Sequence, residues 1–121
     1  MNGNGLRRVV VTGLGIVSPI GNDTTEVTKS LREGHSGIVR CDTYEEMGFR
    51  SHVHGAPEID FDEHIDRKLR RFMGEGAAYS YIAMGQAISD SGLGEKDVRD
   101  LRTGLVVGSG GPSTSAQVEA A

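Results

Sequence analysis

Hydrophobic positions fall into a few short groups whose spacing changes along the chain. Near the start Val9-Val10-Val11 is an unbroken β-branched run closed by Gly13, a pattern that predicts a strand over Arg8 to Thr12 buried on both faces. An amphipathic helix is expected next. Asn22 or Asp23 caps it, Glu26 stands in capping-box spacing after Asp23, Val27 and Leu31 share one side, and Gly34 stops it. From Gly34 to Asp62 the pattern is irregular, except that His52 and His54 alternate with Val53 and predict a short strand within Ser51 to Gly55. Helical spacing returns from Asp66 to Asp90, with Gly92 as its stop. Its stripe Leu69, Phe72/Met73, Gly76, Ser80, Ala83, Ala87 becomes small-sided in the second half, which allows close packing. Gly74 and Gly76 divide this region into a short basic helix and a longer buried one, because glycine inside a helix costs about 1 kcal/mol relative to alanine. Leu105-Val106-Val107 predicts a second buried strand, and Ser113 to Ala121 the start of another helix.

Strand, helix, long helix, strand and incipient helix make an α/β alternation without internal repeat. Two strands do not complete a sheet, so the chain reads as the N-terminal piece of a larger domain, with no complete domain boundary inside residues 1–121. Hydrophobic residues make up 36 % of the sequence and 18 positions are glycine, which implies many tight turns and a core that depends in part on other surfaces. No apolar run is long enough to cross a bilayer, and Met1 to Gly5 lacks the features of a secretory signal, so a cytoplasmic protein without a membrane partner is expected. The single cysteine, Cys41, excludes an internal disulfide framework.

Charge adds the most informative feature. The formal net charge is −4, yet Arg67, Lys68, Arg70 and Arg71 concentrate four cations in the short run Ile65 to Met73. On a helix Arg67, Lys68 and Arg71 share one side, while Ile65, Leu69, Phe72 and Met73 turn toward a core. Such a face suits an acidic partner, the plainer alternative being a solvated charged surface. The acidic overall balance argues against nucleic-acid binding.

Other motifs carry less chemistry. Gly13-x-Gly15 follows a predicted strand, but Ser18 and Pro19 stand where a dinucleotide fingerprint needs a third glycine and a helix start, so a tight turn is the better reading. Gly108-Ser109-Gly110-Gly111 has no Gly-Lys-Ser/Thr after it and does not read as a nucleotide loop. Of the four histidines, His35, His52, His54 and His64, the pair His52 and His54 would share a strand face, but two ligands do not close a zinc site, and no cysteine or carboxylate stands at ligand spacing beside them. No metal and no cofactor is expected. Cys41 lies beside Asp42, a carboxylate that disfavours a thiolate, with no helix start expected behind it, so a nucleophilic role is not assigned.

Taken together, Val11-Thr12-Gly13-Leu14-Gly15-Ile16-Val17-Ser18-Pro19-Ile20-Gly21-Asn22, Arg50-Ser51-His52-Val53, the basic run and Gly108-Ser109-Gly110-Gly111 resemble the β-ketoacyl-acyl carrier protein synthases of bacterial fatty acid synthesis, type I members above all. The resemblance runs from about Arg8 to Ala121. It implies a thiolase-like α/β/α/β/α layered fold, incomplete in this chain, and a homodimeric acyltransferase that condenses acyl and malonyl thioesters held on acyl carrier protein. It also implies that Arg67, Lys68 and Arg71 form the carrier-protein dock. Gly111 would stand beside the acyl cavity, where its missing side chain leaves room, and Pro112 stands where relatives often have another glycine. The family's cysteine nucleophile and both catalytic histidines lie beyond Ala121, so no catalytic residue is expected here. Two alternatives stay open: a free-standing module that binds an acidic partner, and another condensing subunit of the same superfamily, such as a polyketide one.

Overall fold

The computed structural model describes residues 7–121, so Met1 to Gly5 lie outside it. Helices dominate: α1 (Thr24–Glu33), α2 (Asp42–Glu46), α3 (Phe61–His64), α4 (Arg67–Arg70), α5 (Glu75–Ser91), α6 (Glu95–Val98) and α7 (Thr114–Ala120). Among the described residues one sheet forms, from β1 (Ile38–Arg40) and β2 (Val53–Gly55).

Local chemistry explains the helix ends. The Asp23 carboxylate accepts from the amides of Thr25 and Glu26 at 2.7 and 2.8 Å, capping α1. Glu26 reaches back to the Asn22 amide at 2.8 Å, one residue earlier than the expected capping box. Gly34 and Gly92 end α1 and α5 with φ of 69° each, a left-handed conformation that glycine takes without a side-chain penalty. The expected division of the basic and buried helices occurs at Gly74, the N-cap of α5, whereas Gly76 is accommodated inside the helix.

The longest helix, α5, organises what core there is. Ile65, Ala78 and Ile82 are buried together, with Val17, Ile59, Phe61 and Met73 packed around them. The Gly13-Leu14-Gly15 segment lies directly on the small-sided face of α5. A Cβ on Gly15 would collide with the Ala83 carbonyl, and one on Gly13 with the Ala87 carbonyl and, at 2.7 Å, the Ser91 amide nitrogen. Side chains of α5 then satisfy the passing backbone: Leu14 N–H donates to Asp90 Oδ2 at 2.9 Å and Ile16 N–H to Gln86 Oε1 at 2.9 Å. Gln86 Nε2 donates in turn to the Asn22 carbonyl at 2.6 Å. The glycine pair is thus a close-packing device between an extended segment and a helix.

Strand β2 pairs antiparallel with β1, matching Val39 with His54 and Arg40 with Val53. The expected strand within Ser51 to Gly55 therefore forms, but its partner comes from a stretch that reads as irregular in sequence. Tyr44 of α2 closes the hairpin with edge-on ring contacts to Phe49 and His54, both at 5.3 Å between centroids. Pro19 seats the hairpin, because a Cβ on Gly55 would come within 3.0 Å of its Cγ.

Several expectations need correction. Arg8 to Thr12 and Leu105 to Val107 are not strands: Val9 is 89 % exposed and Val106 95 %. Strand pairing satisfies backbone groups only through a neighbour, and no described segment pairs with either stretch. Val27 is buried but Leu31, expected on the same side of α1, is exposed. In the basic run Ile65 and Met73 face the core as expected, whereas Leu69 and Phe72 are exposed. The reason is that α4 has only four residues before the chain turns into α5, too short to keep one side inward. No described helix is long and apolar enough to cross a membrane.

The glycine contact makes opposite predictions for two alanine substitutions. Gly15→Ala should lower the unfolding free energy by about 1–3 kcal/mol, read as a lower urea midpoint, for overpacking against helix backbone that cannot yield. At Gly76 the added Cβ meets nothing within 4 Å, so Gly76→Ala should raise stability by about 0.5–1 kcal/mol through helix propensity. Equal effects at the two positions would contradict the close-packing role of Gly15.

A basic turn at the elbow between α3 and α5

The candidate site begins with two aspartates used as caps. Asp60 Oδ1 accepts from the Asp62 amide at 2.9 Å and starts α3, while Asp66 Oδ1 accepts from the Lys68 amide at 2.8 Å and starts α4. The Asp66 carbonyl also accepts from the amides of Leu69 and Arg70, each at 2.9 Å, which closes the single turn. Phe72 and Met73 amides continue it by donating to the carbonyls of Leu69 and Arg70 at 3.0 Å each. The turn therefore runs on past α4 until Gly74 opens α5.

This geometry displays Arg67, Lys68 and Arg71 together at the surface, all exposed. Among the described residues the salt bridges involve Arg40, His35 and Arg99, and none of the three cations takes part. Arg71 carries its guanidinium carbon 4.9 Å above the ring of Phe72, so an exposed aromatic surface lies within the basic patch. Arg70 behaves differently: its guanidinium carbon sits 4.5 Å above the Phe61 ring, and its Nη1 donates to the Met73 carbonyl at 2.5 Å. Phe61 in turn touches Tyr79 of α5, with centroids 5.2 Å apart. Burial there raises the Tyr79 hydroxyl above its usual pKa of 10.0, with Glu75 adding to the rise and Arg70 opposing it.

The glycine-rich turn reaches the same elbow. A Cβ on Gly74 would come within 3.0 Å of Ser113 Cβ, so the chain just past Gly111 lies against the start of α5. Ser109 folds over this turn, its hydroxyl donating to the Gly111 carbonyl at 2.6 Å. Gly111 itself is exposed, has no left-handed φ, and would hold a Cβ with nothing within 4 Å. The structure thus brings Ser113, two residues past Gly111, against Gly74, which follows the basic turn.

Other sequence candidates are engaged locally. His52 Nε2 lies 2.8 Å from the Phe49 carbonyl, His54 packs on Tyr44, and His35 Nδ1 lies 3.5 Å from Glu33. Among the described residues no group of three or more histidine, cysteine and carboxylate side chains converges as a metal site. Cys41 corrects the sequence reading: a helix does start behind it, since it is the N-cap residue of α2. Its side chain makes no capping bond there, and two carboxylates, Asp42 and Glu45, occupy the first turn. An open groove of about 560 Å³ along α5 includes Leu14, Asp23, His64, Tyr81 and Gln86. Asp23 and Gln86 are occupied there by backbone hydrogen bonds.

Sequence reasoning missed Gln86 and Asp90, which read as ordinary polar helix positions. Their signal was adjacency to Ala83 and Ala87: polar side chains bordering a small-sided stripe can reach whatever backbone lies on that stripe. It also missed Arg70's inward role, which the helical spacing alone hinted at by leaving Arg70 off the Arg67, Lys68, Arg71 face.

Comparison with known proteins covers almost the whole chain. Residues 6–121 match the model of the β-ketoacyl synthase N-terminal domain. The chain is 50 % identical over 115 residues to 3-oxoacyl-[acyl-carrier-protein] synthase 1 of Haemophilus influenzae, an alignment covering 95 % of this chain and 28 % of that protein. With the same-named protein of Escherichia coli K12 it shares 48 % identity over 114 residues, 93 % of this chain and 28 % of the relative. A synthase 2 from Vibrio harveyi is 38 % identical over 105 residues, 86 % of this chain and 25 % of the relative. The chain spans little more than a quarter of the length of these relatives.

Proposed function

Because the chain belongs to the β-ketoacyl synthase N-terminal domain family, whose fold is thiolase-like, we propose that it forms part of an acyltransferase that elongates fatty acyl chains. The reaction is the decarboxylative condensation of malonyl-carrier protein with an acyl group carried on the enzyme. On this reading residues 1–121 are the N-terminal segment of one thiolase-like domain that works in the cytoplasm as a homodimer. The observation that carries the reading is the exposed basic turn on an acidic chain, in a sequence 50 % identical to a carrier-protein-dependent synthase. Acyl carrier protein is the acidic partner, and Arg67, Lys68 and Arg71 are its docking residues.

The segment's part is docking and scaffold. No residue in it is assigned to the covalent and proton-transfer steps, which need an activated nucleophile and groups that stabilise the developing enolate. The purified 121-residue chain, incubated with acyl- and malonyl-carrier protein, should therefore give no condensation product above background. Product formation that survives Cys41→Ser would overturn this division of labour.

Docking is tested in the complete synthase. Exposed charge pairs contribute only about 0.2–1 kcal/mol each, so single changes should be nearly silent. The triple reversal Arg67→Glu, Lys68→Glu, Arg71→Glu should slow association with carrier protein and remove its salt dependence. A triple variant matching the parent in affinity, association rate and salt response would remove these residues from the dock.

At Gly111 the proposal is selection by acyl chain length. The open surroundings and ordinary φ let isoleucine enter without strain within this segment, so the unfolding midpoint of Gly111→Ile should stay close to that of the parent. Its added volume should slow turnover of long acyl primers and spare short ones. A uniform loss across chain lengths would take Gly111 out of the acyl site.

A further inference from the structure

We propose that Arg70 is a positioning residue that locks the basic turn in place for docking, while itself taking no part in contact with the partner. The inference rests on the docking reading and adds to it how the turn is held against α3 and α5.

Three of the four clustered cations are exposed, whereas Arg70 is half-buried. Its guanidinium lies over the ring of Phe61, the first residue of α3, and donates to the carbonyl of Met73, which precedes the N-cap of α5. Phe61 also touches Tyr79 on α5. One side chain therefore closes a circuit through α3, α4 and α5. A four-residue helix has almost no stability of its own, so the orientation of α4 has to come from such tertiary ties. A planar guanidinium can stack on a ring and donate sideways at the same time; a lysine ammonium is a strongly hydrated point charge that does not reproduce that pair of contacts. Fixing α4 holds Arg67, Lys68 and Arg71 in one arrangement before the partner arrives, which lowers the ordering cost of binding.

The test separates charge from geometry in the complete synthase. Arg70→Lys keeps the cation and should nonetheless raise KM for the carrier-protein-bound substrate about 3–10-fold, with kcat retained and the salt dependence unchanged. Arg70→Gln and Phe61→Leu should do the same, Phe61→Tyr should restore parental values, and Arg70→Lys with Phe61→Leu should be no worse than either alone. Amide exchange at Phe72 and Met73 should accelerate in Arg70→Lys. Phe61→Leu supplies the same reading if the lysine variant unfolds. Parental KM and parental amide exchange in Arg70→Lys would overturn the proposal, and so would a defect confined to Arg70→Gln, which would make Arg70 one more docking charge. A silent triple reversal of Arg67, Lys68 and Arg71 combined with accelerated exchange in Arg70→Lys would remove the docking reading and leave the clamp standing.

Discussion

The contact of Gly13 and Gly15 with α5 is the constraint on which the rest of the described structure depends. It places extended backbone so close to a helix that even a methyl group has no room, and it works only because the facing helix positions are Ala83, Ala87 and Ser91. Backbone brought that close to a helix has its polar groups answered by the helix's own side chains. Gln86 and Asp90 provide the answer, one helical turn apart, and Gln86 extends it to the Asn22 carbonyl next to the Asp23 cap. The entry of α1 and the course of α5 are thereby tied to the same few residues. Pro19, carried on the loop between the glycine pair and α1, then seats the β1–β2 hairpin.

Away from this contact the core is thin. Four hydrophobic side chains are buried among the described residues: Val27, Ile65, Ala78 and Ile82. Large apolar side chains stand exposed in runs, Val9 to Val11 and Leu105 to Val107 above all. A segment of that composition is suited to a buried sheet, and an unpaired apolar strand in water exposes both its side chains and its hydrogen-bonding edge. These runs fit the family assignment, in which the relatives are more than three times as long as the aligned segment. They also explain why propensity and observed structure part company at those two places: the preference is in the residues, but the ladder needs a second chain segment.

Legibility followed the same division between local and non-local causes. The start and stop of α1, the break at Gly74, the stop at Gly92 and the outward face of Arg67, Lys68 and Arg71 were readable because each is decided within one or two turns of chain. What stayed hidden depends on contacts far apart in sequence. Strand β1 is defined by pairing with β2, Gln86 acts on residues 70 and 64 positions away, and the inward turn of Arg70 requires the Phe61 ring to be underneath it. Gly13-x-Gly15 was legible as something other than a phosphate loop, but its partner helix was not. Leu69 and Phe72 failed for a shorter-range reason, because an idealised helical face was extended across a helix that lasts one turn.

One elbow joins the two parts of the proposed site. Gly74 opens α5 immediately after the basic turn, and Ser113 rests against it two residues past Gly111. On the proposed reading, packing Ser113 against Gly74, which follows the basic turn, has a mechanical consequence. Force or displacement applied at Arg67, Lys68 and Arg71 has a short path, through Met73 and Gly74, to the segment that would line the acyl tail. Packed backbone transmits small shifts because it has little free volume to absorb them. Arg70 ties the first half of that path by joining Phe61 to Met73, whereas at Gly111 a side chain would meet nothing within 4 Å in this segment. On the proposed reading, a fixed dock beside a turn with room for a side chain suits recognition of one carrier protein together with acyl groups of different length.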